Sequence, residues 1–473
     1  MSAAVGVERV SSSGWRDAVD AALDRGERFC GGYAQRAAAV IEFRLVWAQG
    51  AATRVLACEA ADGAVPTVVD LVPAAGWDER EAADLYDLRF DGHEPLRALA
   101  LHPDAPEAWT MDVRGGGVHQ VAVGPIHAGV IESGHFRFHV VGERILVVDP
   151  RLFYKHRGLE HAAEGGGVER ALAHAGRACG ACAVANAVAC ASAAEQALGL
   201  WPSGDTRRAR TLLLELERAY NHLNDVSAVC AGVGFAPGAM AFAALKERAM
   251  RLNAELAGHR FLFGSVQIAG SALYLSDPGA RALRARLAEL ATDFEQTWRE
   301  LHFSASLQAR LDGVGILAQP DAIRLGASGP SARASGVALD ARTASPGLHY
   351  SAAFAPAIPA SAAGDVAARL EVRALELRDT FSLLDDLLRH SVRPGDAEQR
   401  GDGGGLGVAR VESPRGETLC ALELRDGSVR RLHLRTGSYA NWPALAHATA
   451  GNILPDFPLI NKSFELCYAC VDR

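Results

Sequence analysis

The sequence lacks long apolar runs, a recognisable export signal and any stripe of positive charge. No hydrophobic stretch reaches the ~18 residues of a membrane-spanning helix, because Asn186 and Ser192 interrupt the alanine-rich segment around 183–194. The first ten residues contain no basic region followed by an apolar core, so we expect no secretory signal. The net charge of −8 is spread along the 473 residues, which argues against a nucleic-acid partner. These absences predict a cytoplasmic protein.

Cysteine is scarce, and four of the nine cysteines stand in two Cys-x-x-Cys pairs. Cys179 and Cys182 form the first pair, and Cys467 and Cys470 form the second. Cysteines in a long chain without an export signal favour metal ligation over disulfide bonds. The other five stand alone, and each is predicted to be a small buried apolar residue: Cys30, Cys58, Cys190, Cys230 and Cys420.

The two pairs can supply four soft thiolates to one metal centre if the fold brings them together. Positions i and i+3 project to the same side of a helical turn, so each pair can direct two sulfurs to one point. Thiolates suit zinc, iron–sulfur clusters or a soft metal such as nickel. A structural zinc site usually has its pairs about 15–20 residues apart, far less than the separation here. A thioredoxin-like pair follows a strand in a small βαβ unit, which is not the setting of Cys179.

Both cysteine motifs resemble those of the large subunit of nickel–iron hydrogenases. Further segments are similar to the membrane-associated, energy-converting (group 4) members of that family, which include the formate hydrogenlyase large subunit: Arg177–Cys182, Cys467–Arg473, Gly124–Phe138, Glu215–His222, Ser413–Glu417 and Asn441–Lys462. That group also resembles the 49-kDa subunit of respiratory complex I, which has lost the metal-binding cysteines. Retention of all four cysteines therefore favours the hydrogenase interpretation.

The first hundred residues carry a second resemblance, to the 30-kDa subunit of complex I. Its signature is similar to Trp77–His93 followed by Pro95–Arg97. We therefore expect two domains: a small α+β domain over residues 1–105, and a mainly helical hydrogenase-like domain over 115–473 with a peripheral β-hairpin. The fold class is α+β.

Hydrophobic patterns predict individual elements along this frame. Strands are expected at 43–47 and 67–72, and a hairpin at 136–148. The predicted helices cover 168–198, 211–230, 238–258, 278–303 and 363–389. Segments 326–347 and 394–407, rich in Gly, Ser, Pro and Asp, are expected to be loops.

The resemblance implies a role for each cysteine. Cys179 and Cys467 would bind nickel alone, while Cys182 and Cys470 would bridge nickel to an iron that carries carbon monoxide and cyanide. Molecular hydrogen is a very weak acid, so its heterolysis needs a Lewis-acidic metal and a nearby base. The terminal thiolate of Cys467 is the predicted base.

Two further residues match catalytic positions of the family. Arg415 matches the arginine that overhangs the metals, where a permanently charged guanidinium can hydrogen-bond their ligands; the alternative is an arginine in a surface turn. Glu132 aligns with a proton-relaying glutamate, and the alternative is an exposed loop carboxylate. His127 is a weaker candidate for the relay, and the preferred alternative is a hydrogen-bonded structural histidine. A supporting polar network is expected from Glu217, Arg218 and His222.

Three positions depart from the family pattern. Asn186 stands four residues after Cys182, where the motif often has histidine, and it cannot titrate. Leu466 replaces a proline found in many relatives, and Asp87 stands where the 30-kDa signature usually has glycine. None of these changes removes a metal ligand.

The four paired cysteines leave none for an iron–sulfur cluster in this chain. The resemblance therefore implies an iron–sulfur small subunit as electron partner, and membrane subunits that hold the chain at the inner face of the cell membrane. Formate dehydrogenase, carbon monoxide dehydrogenase and ferredoxin all stay open as donors. A maturation protease is a further possible partner, because many relatives lose a C-terminal peptide after the position of Arg473. Two alternative functions remain: a complex I-like subunit without hydrogen chemistry, and a scaffold with a zinc or empty thiol site.

Overall fold

A four-stranded sheet packed on two helices forms the first part of the computed structural model, which describes residues 5–37, 40–127, 132–401 and 403–473. The elements are β1 (Val7–Val10), α1 (Trp15–Asp24), β2 (Arg28–Ala37), β3 (Val40–Gln49), β4 (Ala52–Glu59), β5 (Ala64–Pro66), α2 (Gly76–Tyr86) and β6 (Arg89–Asp91). The strand order is β1-β4-β3-β2, with β1 parallel to β4 and the other pairs antiparallel. The predicted strand 43–47 lies inside β3.

Both faces of this sheet are buried. Successive side chains of a strand point to opposite faces, and in β3 Phe43 and Trp47 pack with α1 and α2 into one core. Val46, on the other face, packs against Leu406 and Leu419 from the second part of the chain. The first part is therefore joined to the second through an apolar contact between sheets.

The predicted strand at 67–72 is wrong. This segment forms turns that lead into α2. The Glu79 carboxylate accepts hydrogen bonds from the Thr67 hydroxyl (2.6 Å) and the Val68 amide (2.9 Å). Side-chain bonds of this kind offer the backbone an alternative to a sheet ladder.

The second part is mainly helical, as expected. Its elements are β7 (Val118–Val123), β8 (His135–Val141), β9 (Arg144–Arg151), α3 (Leu159–Ala163), α4 (Val168–Ala175), α5 (Ala183–Leu198), β10 (Leu200–Trp201), α6 (Gly204–Gly232), α7 (Ala236–Ala257), β11 (Val266–Gln267), β12 (Gly270–Ser271), α8 (Asp277–His302), α9 (Ala305–Leu311), α10 (Gln319–Arg324), α11 (Gly329–Ala334), α12 (Val366–Leu387), β13 (Glu398–Gln399), β14 (Gly405–Ser413), β15 (Gly416–Arg425), β16 (Ser428–Arg435), α13 (Gly437–Thr449), α14 (Phe457–Phe464) and α15 (Ala469–Asp472). Helices α6, α7, α8 and α12 correspond to four of the predicted helices. The predicted hairpin is β8–β9, and β7 adds a third antiparallel strand.

The predicted helix over 168–198 is broken in the middle. Helix α4 ends at Ala175 and α5 begins at Ala183, so the first cysteine pair lies in the loop between them. Helix α5 is buried on nearly all sides. Its alanines allow a close approach to β14, where a Cβ on Gly407 would overlap the carbonyl oxygen of Ala193.

A three-stranded antiparallel sheet, β14-β15-β16, lies between α5 and the first part of the chain and was not predicted. Most of 394–407 is irregular as expected, but β14 already begins at Gly405. The other predicted loop, 326–347, contains the short helix α11 and a 3₁₀ turn at Ala341–Ala344. No helix within the described residues is both long enough and apolar enough to cross a bilayer.

Candidate metal centre

The two Cys-x-x-Cys pairs meet in one buried cluster. Cys179 lies in the loop after α4, and Cys182 immediately precedes α5. Cys467 lies between α14 and α15, and Cys470 lies in α15. The sulfurs of Cys179, Cys467 and Cys470 are all within 4.8 Å of one another, and Cys470 Sγ is 3.0 Å from Cys179 Sγ.

Cys182 completes the cluster from the start of α5. It is buried among the other cysteines, and its backbone amide donates to Cys179 Sγ at 3.1 Å. The N-terminus of a helix favours an anionic thiolate. On the opposite side, the Cys467 amide donates to Ser438 Oγ (3.0 Å), and Thr436 Oγ1 donates to the carbonyl of Cys470 (3.3 Å).

The cluster favours thiolates at two of its positions. Hydrogen bonds from the Cys179 and Cys470 thiols lower the pKa of Cys182 and of Cys467 well below the ordinary cysteine value. The positive charge of Arg415 lowers the pKa of both in the same direction. Thiolates are the form of cysteine that binds metals.

Arg415 lies in the turn between β14 and β15, and it is buried rather than at the surface. Its Nη1 pairs with Asp225, and its Nη2 donates to Asn221 Oδ1 at 3.2 Å. Its Nε, also buried, has no hydrogen-bond partner within the described parts of the chain. A free, permanently charged donor is thus available near the sulfurs.

Glu132 lies against the backbone of the second cysteine pair. Its Oε2 accepts a hydrogen bond from the Ala469 amide at 2.9 Å, between Cys467 and Cys470. Burial, followed by the nearby Cys467, raises the pKa of Glu132. The carboxylate is therefore not the freely exposed loop group that was the alternative. Residues 128–131 of the same motif lie outside the described residues.

His127 lies exposed in the loop before that gap. The expected polar network forms around α6. Glu217 accepts from the amides of Val184 (2.6 Å) and Ala185 (3.0 Å) and so caps the start of α5. Arg218 Nη2 donates to the carbonyl of Glu412 at 2.8 Å.

The network extends beyond the residues that sequence reasoning had found. His222 Nε2 lies 2.8 Å from Glu376, which also pairs with Arg333. Asp225, which was missed, joins Arg415 to Arg373. Its position three residues after His222 on the same helix was the available signal, because residues at i and i+3 share a face.

The positions that depart from the family have clear structural settings. Asn186 is fully buried one turn after Cys182, and neither atom of its side-chain amide has a hydrogen-bond partner among the described residues. Leu466 is buried beside the second cysteine pair. Asp87 ends α2 with φ of 59°, a left-handed conformation that glycine adopts more readily.

The residues present fit a bimetallic, thiolate-bound centre. Four sulfurs converge from two distant segments, two of them with lowered pKa values, and the buried Arg415 Nε has no hydrogen-bond partner among the residues that the structure describes. A permanently charged donor suits acceptor ligands on a metal. The same donor set also suits a tetrahedral zinc ion.

Comparison with known proteins places the chain in a family. The family of the respiratory-chain NADH dehydrogenase 49 Kd subunit matches residues 232–401 and 403–473, just over half of the chain. The family of the 30 Kd subunit matches residues 17–114. The domain boundaries at 105 and 115 stay a prediction.

Two relatives of known name cover most of the chain. Formate hydrogenlyase subunit 5 of Escherichia coli (strain K12) is 32% identical over 441 residues, which cover 86% of this chain and 77% of the relative. Hydrogenase-4 component G of the same organism is 31% identical over 440 residues, with 86% and 76% covered.

A solved structure shares the fold. One chain of the membrane-bound sulfane sulfur reductase (MBS), an archaeal respiratory membrane complex, matches with a TM-score of 0.66 and 24% identity, covering 76% of this chain and 99% of that one. The resemblance inferred from the sequence motifs is confirmed by the family matches and the relatives. The chain belongs to the family that unites the 30-kDa and 49-kDa subunits of respiratory NADH dehydrogenase with the large subunits of formate hydrogenlyase-type, membrane-bound hydrogenases.

Proposed function

We propose that this chain is the catalytic large subunit of a membrane-associated nickel–iron hydrogenase, which oxidises H2 and reduces protons reversibly. The observation that carries the proposal is the convergence of Cys179, Cys182, Cys467 and Cys470 in one buried cluster. The similarity to hydrogenase-4 component G and to formate hydrogenlyase subunit 5 supports the same function.

These four cysteines would hold a nickel–iron centre with carbon monoxide and cyanide on the iron. When bound, such a centre supplies a Lewis acid that polarises H2 and makes it acidic enough to lose a proton. Cys467 is the least buried of the four thiols, so we assign it the role of the base. Glu132, whose carboxylate accepts a hydrogen bond from the nearby Ala469 amide, would accept the proton next, because burial raises its pKa above the ordinary value of a carboxyl group.

Arg415 would orient the site without exchanging a proton. Its pKa lies above the ordinary arginine value, mainly through Asp225 acting against the cost of burial, so it stays charged. The ion pair with Asp225 and the bond to Asn221 fix the guanidinium plane. The Nε–H then remains to donate to an acceptor on the metals.

Electrons would leave through an iron–sulfur small subunit, with membrane subunits holding the assembly at the inner face of the cell membrane. Membership of a family of respiratory-complex subunits supports membrane partners. In the direction of proton reduction, the electrons would come instead from a formate or carbon monoxide dehydrogenase module or from ferredoxin, and a maturation protease is a further candidate partner.

Metal analysis and infrared spectroscopy test this proposal. Protein produced with a hydrogenase maturation system should contain nickel and iron in equal amounts and show carbon monoxide and cyanide stretching bands. Cys467→Ser should abolish hydrogen-dependent dye reduction. Cys58→Ser is the matched control, because Cys58 lies in the first part of the chain and its hydroxyl replacement would keep Ser12 as a partner. Full activity of the Cys467→Ser variant would contradict the assignment of Cys467 as a metal ligand and as the base.

A complex I-like electron-transfer subunit is the alternative, and the match to the 49 Kd subunit family supports it. In that case the purified protein would contain no nickel and show no carbon monoxide or cyanide bands. One equivalent of zinc per chain would indicate a structural thiol site instead.

A further inference from the structure

Helix α2 in the first part of the chain reaches the second part through two carboxylates. Asp78 and Glu81 lie three residues apart and therefore share one face of the helix. Asp78 pairs with Arg435, with Nε and Oδ1 2.9 Å apart. Glu81 pairs with Nη2 of Arg473. Both arginines and both carboxylates are at least nine-tenths buried, so these are interior ion pairs.

One of these arginines belongs to the cysteine tail, and the other belongs to the strip of chain on which that tail lies. We define the tail as residues 466–473 and the strip as residues 434–438. The carbonyl of Leu434 accepts from Nη1 of Arg473. Thr436 and Ser438 hydrogen-bond the backbone of Cys470 and Cys467, respectively. Helix α2 thus holds the strip at one end through Arg435 and the tail through Arg473.

Aromatic side chains also contact both arginines of this arrangement. The ring of Tyr439 lies next to both guanidinium groups, 5.6 Å from Arg435 and 4.9 Å from Arg473. Trp77 of α2 packs edge-on against the same ring at 5.5 Å. Glu160 supplies a second carboxylate to Arg473 at 3.1 Å. The Arg473 side chain is therefore held on several sides, by groups that lie far apart in sequence.

The tail has little structure of its own to keep its cysteines in place. Helix α15 spans only Ala469–Asp472, and a helix this short is not stable without tertiary contacts. The position of Cys467 and Cys470 must come from outside contacts. Removal of Glu81 takes away one of the two carboxylates that pair with the buried Arg473, and a buried charge that is less fully compensated is costly. Loss of Glu81 should therefore release the tail rather than be tolerated.

We propose that Asp78 and Glu81 of α2 act as a clamp that positions the tail cysteines, so that the first domain helps to build the metal centre. Glu81 is a positioning residue that acts through Arg473, and it does not itself touch the cluster. The inference deepens the proposed function and rests on it for what the sulfurs are held to bind. The clamp itself is a property of the metal-free chain and can be measured there.

Hydrogen exchange followed by mass spectrometry tests the clamp on the full, metal-free chain. In Glu81→Gln and in Arg473→Gln, the tail amides should exchange at least about tenfold faster than in the unsubstituted protein, while α5 keeps its protection. Arg473→Lys keeps a charge opposite Glu81 and Glu160 and should restore part of the protection. Asp70→Asn is the control, because it removes an exposed ion pair with Arg16 inside the first domain.

The outcomes separate the clamp from the proposed function. Unchanged tail exchange in both glutamine variants overturns the clamp, as does a loss of protection that spreads equally over β2–β4 and α5. Tail-limited loss supports the clamp even if the unsubstituted protein takes up no nickel, in which case only the hydrogenase proposal fails. If nickel is taken up, Glu81→Gln should lower the nickel content at equal protein concentration and shift the infrared bands of the remainder.

Discussion

The two cysteine pairs reach the same cluster by different structural means. The first pair is set by a helix: Cys182 precedes α5, Glu217 accepts hydrogen bonds from buried amides in the first turn of that helix, and α5 packs tightly on β14. The second pair lies in a short segment whose backbone is held by side chains from 132, 436 and 438. One pair therefore depends on close packing, and the other depends on individual polar contacts.

The largest effect is expected from disturbing the packing of α5. Gly407→Ala would place a methyl group against the Ala193 carbonyl, and overpacking of this kind should cost about 3 kcal/mol of the free energy of unfolding. Chemical denaturation measures this loss. Gly116→Ala is the control, because a Cβ there meets nothing within 4 Å, and its effect should stay within about 0.5 kcal/mol. Equal stability of the two variants would mean that α5 and β14 are not in close contact.

Removal of the α5 cap should have the next largest effect. Glu217→Ala leaves the buried amides of Val184 and Ala185 without an acceptor, which should cost about 2 kcal/mol. Exchange of the amides at the start of α5 should rise, whereas exchange in the tail should not. Glu217→Gln keeps an acceptor oxygen and should lose less. If amide exchange in the alanine variant rose as much in the tail as at the start of α5, the two cysteine pairs would not be held independently of each other.

A smaller effect is expected on the side of the second pair. Ser438→Ala removes the acceptor of the Cys467 amide and should cost about 1 kcal/mol, confined to the tail. In the metal-free chain, this substitution should increase the rate of thiol labelling at Cys467 more than the rate at Cys182. The exposed Ser428→Ala, on β16, provides the comparison and should change neither rate. An equal increase in the labelling rate at both cysteines would contradict the view that the two pairs are held by different contacts.

The smallest effect expected is a pH dependence of stability that comes from the buried ionic network near the first cysteine pair. Burial, followed by the nearby Asp340, raises the pKa of Glu412 to about 7. The folded state thus binds this proton more tightly than the unfolded chain does. The contribution of Glu412 to the free energy of unfolding is therefore fully present below about pH 4.5 and is lost as the pH rises through about 7. Glu412→Gln should show a smaller fall in thermal midpoint from pH 5 to pH 8 than the unsubstituted protein. An identical fall would exclude Glu412 as its source.

Much of the helical frame was predictable from periodicity. Helices α7, α8 and α12 follow their predicted ranges closely, because each carries an apolar face over many turns. Helix α6 was predicted over 211–230, but it already begins at Gly204. The break before α5 was not predictable in this way. The alanine-rich composition continues on both sides of it, and the cap that starts α5 comes from Glu217, which lies on another helix. The strand predicted at 67–72 failed for a similar reason, since Glu79 takes the hydrogen bonds of that segment.

The sequence by itself determined the chemistry available to this protein: four paired thiols, Arg415 after Pro414, and the motifs of a known family. Only the tertiary structure decided that the thiols form one cluster, that Arg415 is buried against Asp225, and that Glu81 reaches Arg473. The physical reason is separation along the chain. Local patterns record which face of an element is apolar, whereas contacts between distant residues arise only when those faces pack together.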